Sequence, residues 1–321
     1  MTQMQADIQS LLNGRLGDWL AQQQAMRAEA RRAANKRWLW GGIAMAVVIA
    51  VIFSIGALGQ LRVLIAILGV VGVAIWGYSP ISSAKHAMKV GINSAVAREF
   101  GLSYSHEVEP GSEFAAAKTY GLLPYYNRDS FEDRWYGTIE GHSFNLYEAH
   151  LEEQRGSGKN RRWVTVFRGV IMDMGFGRNF HSTTLLQRAG KHPSWFGLGG
   201  RKDHVSFRGH RLDYVDQVHP EFEDIFEVWS DDQVEARTLI HPAYVEQLIA
   251  LERAFQSDAV RAVFHRGEVV VVVETGNLFE SGSMDADEDE RKVAQAAAQF
   301  TALRSLALAI NQNDRGRTLA D

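Results

Sequence analysis

Trp38–Gln60 reads WLWGGIAMAVVIAVIFSIGALGQ and Val63–Ala84 reads VLIAILGVVGVAIWGYSPISSA, and neither run holds a charged residue. A helix needs about 20 apolar residues to cross the roughly 30 Å hydrocarbon core of a bilayer, so each run predicts a membrane span, over about 38–58 and 62–80. Buried helices of a soluble core are normally shorter and keep a polar face. Only Gly56 to Arg62 separates the runs, so the spans must form a hairpin with both chain ends on one side.

The flanks set the orientation. Arg27, Arg31, Arg32, Lys36 and Arg37 precede the first span, Lys85, Lys89 and Arg98 follow the second, and only Arg62 lies between. Positive residues stay on the cytoplasmic side, so both termini are expected in the cytoplasm of a cell bounded by an inner membrane. Trp38, Trp40, Trp76 and Tyr78 fall at the cytoplasmic ends, where amphipathic rings favour the headgroup layer. The first run begins too late and is too long for a cleaved signal peptide. Small residues recur at Gly42, Ala46, Ala50 and Ser54, and at Ala66, Gly69 and Gly72. Such stripes let backbones approach closely; the preferred reading packs the two spans on each other, with a homo-oligomer contact as the alternative.

Before the anchor, Ile8, Leu11, Leu12, Leu16, Trp19 and Leu20 follow the spacing of an amphipathic helix. Its apolar stripe suits the membrane surface, the globular domain or a second copy. The expected layout is an N-terminal helical segment over 1–37, the hairpin over 38–84, a helical connector over 85–102 and a cytoplasmic domain over 103–321.

Charge separates these parts. Residues 1–37 hold six Lys/Arg against three Asp/Glu, whereas residues 101–321 hold 24 against 34. A domain that acidic is a poor partner for nucleic acid, whose affinity comes from phosphates neutralised by Lys and Arg. There are no cysteines, which excludes disulfides, thiolate catalysis and Cys-based metal sites.

The remaining chain alternates like an antiparallel sheet. Phe131–Gly141 and His142–Leu151 read as strands joined at Glu140-Gly141-His142, and Arg162–Asp173 as a third, after a polar loop over Glu152–Asn160. Phe180–Gln187 is a further candidate, followed by an irregular Gly-rich stretch up to Gly209. Phe226–Ser230 is a short strand whose Ser230-Asp231-Asp232 end caps a helix over Gln233–Thr238. His241-Pro242 opens a helix through Phe255. Arg261–His265 and Glu268–Glu274 form a hairpin about Arg266-Gly267, and the valine run Val269–Val273 marks a centrally buried strand. Asp285–Glu290 places negative charge at the start of a last helix running to about Ile310. The predicted fold class is α+β: a helix and a two-helix transmembrane hairpin, then an antiparallel β-sheet with packed helices.

Two spans followed by FEVWSDDQVEARTLIHPAYVEQLIALERAF (Phe226–Phe255), a valine-rich strand and a C-terminal helix resemble a bacterial family catalogued as domain of unknown function 3137. GTIEGHSFNLYEAHLEE (Gly137–Glu153) is similar to that family's strand, Gly turn and strand ending in acidic residues. The resemblance implies a membrane-anchored cytoplasmic domain. It names no catalytic residues and no cofactor.

Three chemical readings compete for the domain. His181, His192, His204 and His210, with Asp203 and Asp213, invite a metal site, but no HExxH or similar spacing accompanies them. Gly197-Leu198-Gly199-Gly200 lacks the Lys-[Ser/Thr] of a phosphate loop. Lys191, Trp195, Phe196, Leu198, Arg201 and Lys202 set aromatic and apolar side chains among cations, a composition suited to the negatively charged inner leaflet, though a loop whose aromatics close over the sheet is the preferred reading. No cofactor is expected, and the partners expected are the bilayer and either a protein or a second copy. The leading expectation is a membrane-tethered binding module for a protein partner or anionic lipid headgroups; the alternative is a membrane-bound, metal-dependent hydrolase built on the His-rich region 181–210.

Overall fold

A computed structural model of the chain describes residues 14–55, 59–177, 180–190, 203–216, 220–255, 257, 259–276, 278 and 282–310. It divides into two compact units: residues 1–95 with 280–294, and residues 96–279 with 295–321.

The first unit is dominated by two long helices, α1 (Arg15–Ser54) and α2 (Leu61–Glu99, its last turn in the second unit). They run antiparallel in a continuous register. The Trp19 ring lies over Gly91, Trp38 over Gly77 and Met45 over Gly69, and Arg62 stacks on Phe53 at 5.2 Å. Arg37 covers Trp76 at 5.3 Å, and the Trp38 indole N–H donates to the Ala74 carbonyl at 3.4 Å. The amphipathic stripe is part of α1: Leu16 and Leu20 are buried, whereas Ile8, Leu11 and Leu12 lie outside the described residues. Arg27 on α1 forms a buried bidentate pair with Asp289, at 2.9 and 2.6 Å, and Arg31 donates to the Met284 carbonyl.

The small-residue stripe of the first span does not make the helix contact. Gly41, Met45, Ile49 and Ile52 face α2, while Gly42, Ala46, Ala50 and Ser54 are exposed. A Cβ on Gly41 would sit 2.7 Å from Val73, and one on Gly42 would meet nothing. The large rings of Trp38 and Trp76 fix the rotation of α1, turning the predicted face away by one residue. On α2, Ala66 and Gly69 do face the partner helix and Gly72 does not.

The second unit is built on a ten-stranded sheet, in order β1-β2-β3-β4-β10-β9-β5-β8-β7-β6, in which every described pairing is antiparallel. Its strands are β1 (Leu102–Glu107), β2 (Arg128–Ile139), β3 (His142–Arg155), β4 (Arg162–Gly175), β5 (Thr184–Arg188), β6 (His204–Phe207), β7 (His210–Tyr214), β8 (Phe226–Ser230), β9 (Val260–His265) and β10 (Glu268–Glu274). The valines of β10 are buried between β4 and β9, as an all-apolar strand requires. Three two-residue hairpin turns, Glu140-Gly141, Arg208-Gly209 and Arg266-Gly267, have positive φ at both positions, the geometry that matches strand twist.

The short helix α3 (Ser112–Thr119) lies on one face, where Phe114 and Ala117 join Tyr147, Ile171, Val270, Val272 and Trp229 in the core. The short α4 (Pro220–Glu223) packs beside β8. α5 (Gln233–Leu239) and α6 (Pro242–Phe255) follow β8, with Tyr244 of α6 edge-on to Phe264 at 5.5 Å. From the last helix α7 (Asp289–Ile310), Phe300 stacks on Trp135 at 4.9 Å.

Three expectations are corrected. The irregular stretch up to Gly209 contains β6 and the Arg208-Gly209 turn that joins it to β7, instead of loop alone. The first four residues of the polar loop expected over Glu152–Asn160 are strand, because β3 and β4 stay paired out to Arg155 and Arg162, and only 156–160 turn. The strand expected over Phe180–Gln187 begins at Thr184, since the backbone N–H groups of residues 181–183 bond side chains of another segment.

Candidate functional site

Asp231, Asp232 and Glu235 form an acidic cluster at the start of α5, and the structure commits them to holding backbone. Asp232 accepts from the N–H groups of Val234 and Glu235 at 2.9 and 3.0 Å, capping α5. Asp231 accepts from Thr183 N–H at 2.8 Å, and Glu235 from the N–H groups of His181 and Ser182 at 3.0 and 2.6 Å. Desolvation opposes ionisation of Glu235, but the hydrogen bonds from Ser182 and His181 outweigh it and hold its carboxyl below the usual range. Arg237 donates to the Asp216 carbonyl at 3.0 Å. This block ties the chain ahead of β5 and the chain after β7 to the start of α5.

The predicted histidines are dispersed. His181 precedes β5, His204 and His210 lie on β6 and β7, and His204 pairs across the strands with Asp213, which holds Arg211 at 2.7 Å. Among the described residues, the potential ligand atoms that converge belong to His106, Glu132 and Asp133, all within 4.8 Å. A bulge in β2 gives Asp133 a φ of 59° and buries its carboxylate, which accepts from the Tyr104 hydroxyl at 2.6 Å and lies 3.0 Å from His106 Nδ1. That trio could hold a divalent ion. Sequence spacing missed it because its members sit on two strands. His192 and the proposed surface loop of Lys191, Trp195, Phe196, Leu198, Arg201 and Lys202 lie outside the described residues.

One concave feature of the second unit is a cavity of about 610 Å³, within the range of small-molecule sites. Ser112, Glu113, Thr119 and Tyr120 line it from α3 and its end, Arg208 and His210 from the β6–β7 turn, and His265, Arg266 and Glu268 from the β9–β10 turn. His265 Nδ1 lies 3.1 Å from the Thr183 hydroxyl and 3.3 Å from that of Tyr120. Desolvation, then the charges of Arg266 and His210, push its pKa down despite Asp231, which favours the neutral ring. Behind Glu113 and Glu268, burial first and then those two carboxylates push Asp173 up to about 7. Its Oδ1 is buried without a hydrogen-bond partner among the described residues. Burial and the neighbouring Glu113 keep the Tyr147 hydroxyl protonated.

A family model described as "Protein of unknown function (DUF3137)" matches residues 165–311, from β4 through α7, in agreement with the family that the sequence resembles. No curated protein matches the chain by sequence. A crystal structure of the mycobacterial trehalose monomycolate transport factor A, TtfA, is similar at 12% identity with a TM-score of 0.35, covering 67% of this chain and 95% of that one. Similarity at that level carries no inference about what this chain binds.

Proposed function

We propose that the chain is an inner-membrane protein whose helices α1 and α2 cross the bilayer over about 38–58 and 62–80, with both termini and residues 103–321 in the cytoplasm as a binding module. The observation that carries this reading is the surface of the paired helices. Leu39, Leu68 and Ile75 are more than 60% exposed, and Ile43, Val47, Val51, Leu64, Ile67 and Val71 stand out with them. A contiguous apolar face of that extent is a liability in water and the expected surface in lipid. The cations clustered at residues 27–37 and 85–98 favour the orientation. In the first unit the connector 85–95 continues α2 without a break.

The bound partner is a protein or the lipid headgroup layer, with the loop holding Lys191, Trp195, Phe196, Leu198, Arg201 and Lys202 proposed for the latter on its composition. Asp231, Asp232 and Glu235 are occupied as backbone acceptors, and His181, His204 and His210 do not converge among the described residues, which supports binding over a hydrolase built on that region. Washing membranes with alkaline carbonate should leave the chain in the pellet, and detergent should release it. A chain recovered in the carbonate supernatant would remove the reading.

A further inference from the structure

The hairpin of β3 and β4 outruns its neighbours in the sheet. Its ladder continues to the pair Arg155 and Arg162, whereas β10 follows β4 no further than Gly169 and β2 leaves β3 at Glu152. Seven residues of β4, Arg162 to Arg168, therefore lie beyond the β10 ladder, a length of about 23 Å. Residues 154–172 carry Arg155, Lys159, Arg161, Arg162 and Arg168 with no Asp or Glu, while the rest of residues 101–321 hold 19 Lys/Arg against 34 Asp/Glu. Arg155 stands directly opposite Arg162, a like-charge pairing that weakens a sheet. Glu152 and Glu153, the acids nearest the tip, are already paired with Arg128 and Arg155. The side chains of Lys159, Arg161 and Arg162 are exposed and make no hydrogen bond or ion pair among the described residues. Beside them Trp163 is 42% exposed, with the Arg128 guanidinium over its ring at 4.5 Å.

We propose that the tip of this hairpin docks on an anionic phospholipid surface, with Lys159, Arg161 and Arg162 against the lipid phosphates and Trp163 among the headgroups. Guanidinium forks match phosphate oxygens, and a layer of anions relieves the repulsion between Arg155 and Arg162. The projection of about 23 Å exceeds the Debye length of about 8 Å at physiological salt, so the tip meets such a surface before the acidic sheet behind it is felt. A nucleic acid fits less well. Base stacking needs a ring face, and the Arg128 guanidinium covers one face of Trp163. An indole held in this way still offers an amphipathic edge to a headgroup layer. A nucleic-acid strand running past the tip would also meet the acidic remainder of the domain. The inference rests on the reading of α1 and α2 as membrane spans, because that tether confines the domain to one bilayer and lets a weak contact suffice. The contact is separate from the one proposed for residues 191–202.

The test attaches a fluorophore at Ser157→Cys in the full chain, reconstituted in nanodiscs that include a phosphatidylcholine spin-labelled on its headgroup. In discs of equal phosphatidylglycerol and phosphatidylcholine the probe should be quenched, and in phosphatidylcholine alone it should not. Raising the salt to about 1 M, where the Debye length is about 3 Å, should abolish the quenching without any substitution. The docked-to-free ratio read from it should fall roughly fivefold for each of Lys159→Gln, Arg161→Gln and Arg162→Gln, and about a hundredfold for the three together. Trp163→Ser should lower the ratio and leave its salt dependence unchanged. Circular dichroism of these exposed-residue variants checks that the fold is kept. Quenching that is equal in the two lipid mixtures, persists at about 1 M salt or withstands the triple substitution overturns the proposal. So does saturable binding of a mixed-sequence RNA that the triple variant loses, which reassigns the patch to nucleic acid. A chain retained in carbonate-washed membranes whose tip is not quenched ends this proposal and leaves the membrane reading intact; a chain lost to the supernatant ends both.

Discussion

Asp173→Asn removes the charge that the sheet tolerates least. The folded carboxyl titrates at about 7 against an ordinary value of 3.8, a gap of about three units. At about 1.4 kcal/mol per unit, the ionised form at pH 8 costs the fold up to about 4 kcal/mol relative to the protonated form. Because the folded pKa is raised, this contribution is fully favourable below pH 3.8, declines as pH rises toward 7 and is lost above it. Asparagine keeps the shape and carries no charge at any pH. For a domain of this size each kcal/mol moves the melting temperature by about 2–4 °C, so the variant should melt up to about 8–16 °C above the wild type at pH 8. The two should converge toward pH 4. Buried Trp135 and Trp229 provide the fluorescence signal for melting the full chain in detergent across pH 4–8. Taking variant minus wild type cancels the titrating groups that do not interact with Asp173, leaving its own contribution and its coupling to Glu268 and Glu113. A difference that stays flat with pH, or that grows toward acid, would refute the assignment of a strained buried carboxylate.

Further consequences follow from packing. Gly169→Ala should cost about 1–3 kcal/mol or more, because a Cβ there would lie 2.0 Å from the Val273 carbonyl oxygen of the neighbouring strand; chemical denaturation measures it. Glu235→Ala should cost about 1.5–3 kcal/mol by stranding the two N–H groups of residues 181 and 182, and the loss should fade as pH falls through the depressed Glu235 pKa. Arg27→Ala should cost about 3–5 kcal/mol because it leaves the Asp289 carboxylate buried and unpaired, read as a loss of protease resistance around residues 280–294.

The fold was legible where one residue pattern had one outcome. Val269–Val273 had to be a central strand, Glu140-Gly141 and Arg266-Gly267 had to be tight hairpins, and Asp232 had to cap the helix that follows it. Short elements were not legible. α3 is eight residues, Ser-Glu-Phe-Ala-Ala-Ala-Lys-Thr, whose helicity depends on Phe114 and Ala117 reaching the sheet. β6 is four residues rich in polar groups, and the turn Arg208-Gly209 hides among other Gly and Arg residues. The helix-contact face of the first span was misplaced by one residue, because bulky rings at Trp38 and Trp76 decide the rotation and small-residue spacing alone does not. The cavity left no trace in the sequence for a simple reason. Its lining comes from residues 112–120, 208–210 and 265–270, which only the sheet order brings together.

The central claim is that α1 and α2 form a lipid-embedded hairpin with both ends on the cytoplasmic side. The chain contains no cysteine, so single substitutions report without background. Gln60→Cys, at the turn between the helices, should react with a membrane-impermeant maleimide added to intact spheroplasts, and Ser157→Cys, between β3 and β4, should react only after the membrane is opened. Labelling of Ser157→Cys in intact spheroplasts, or protection of Gln60→Cys there, would contradict the account.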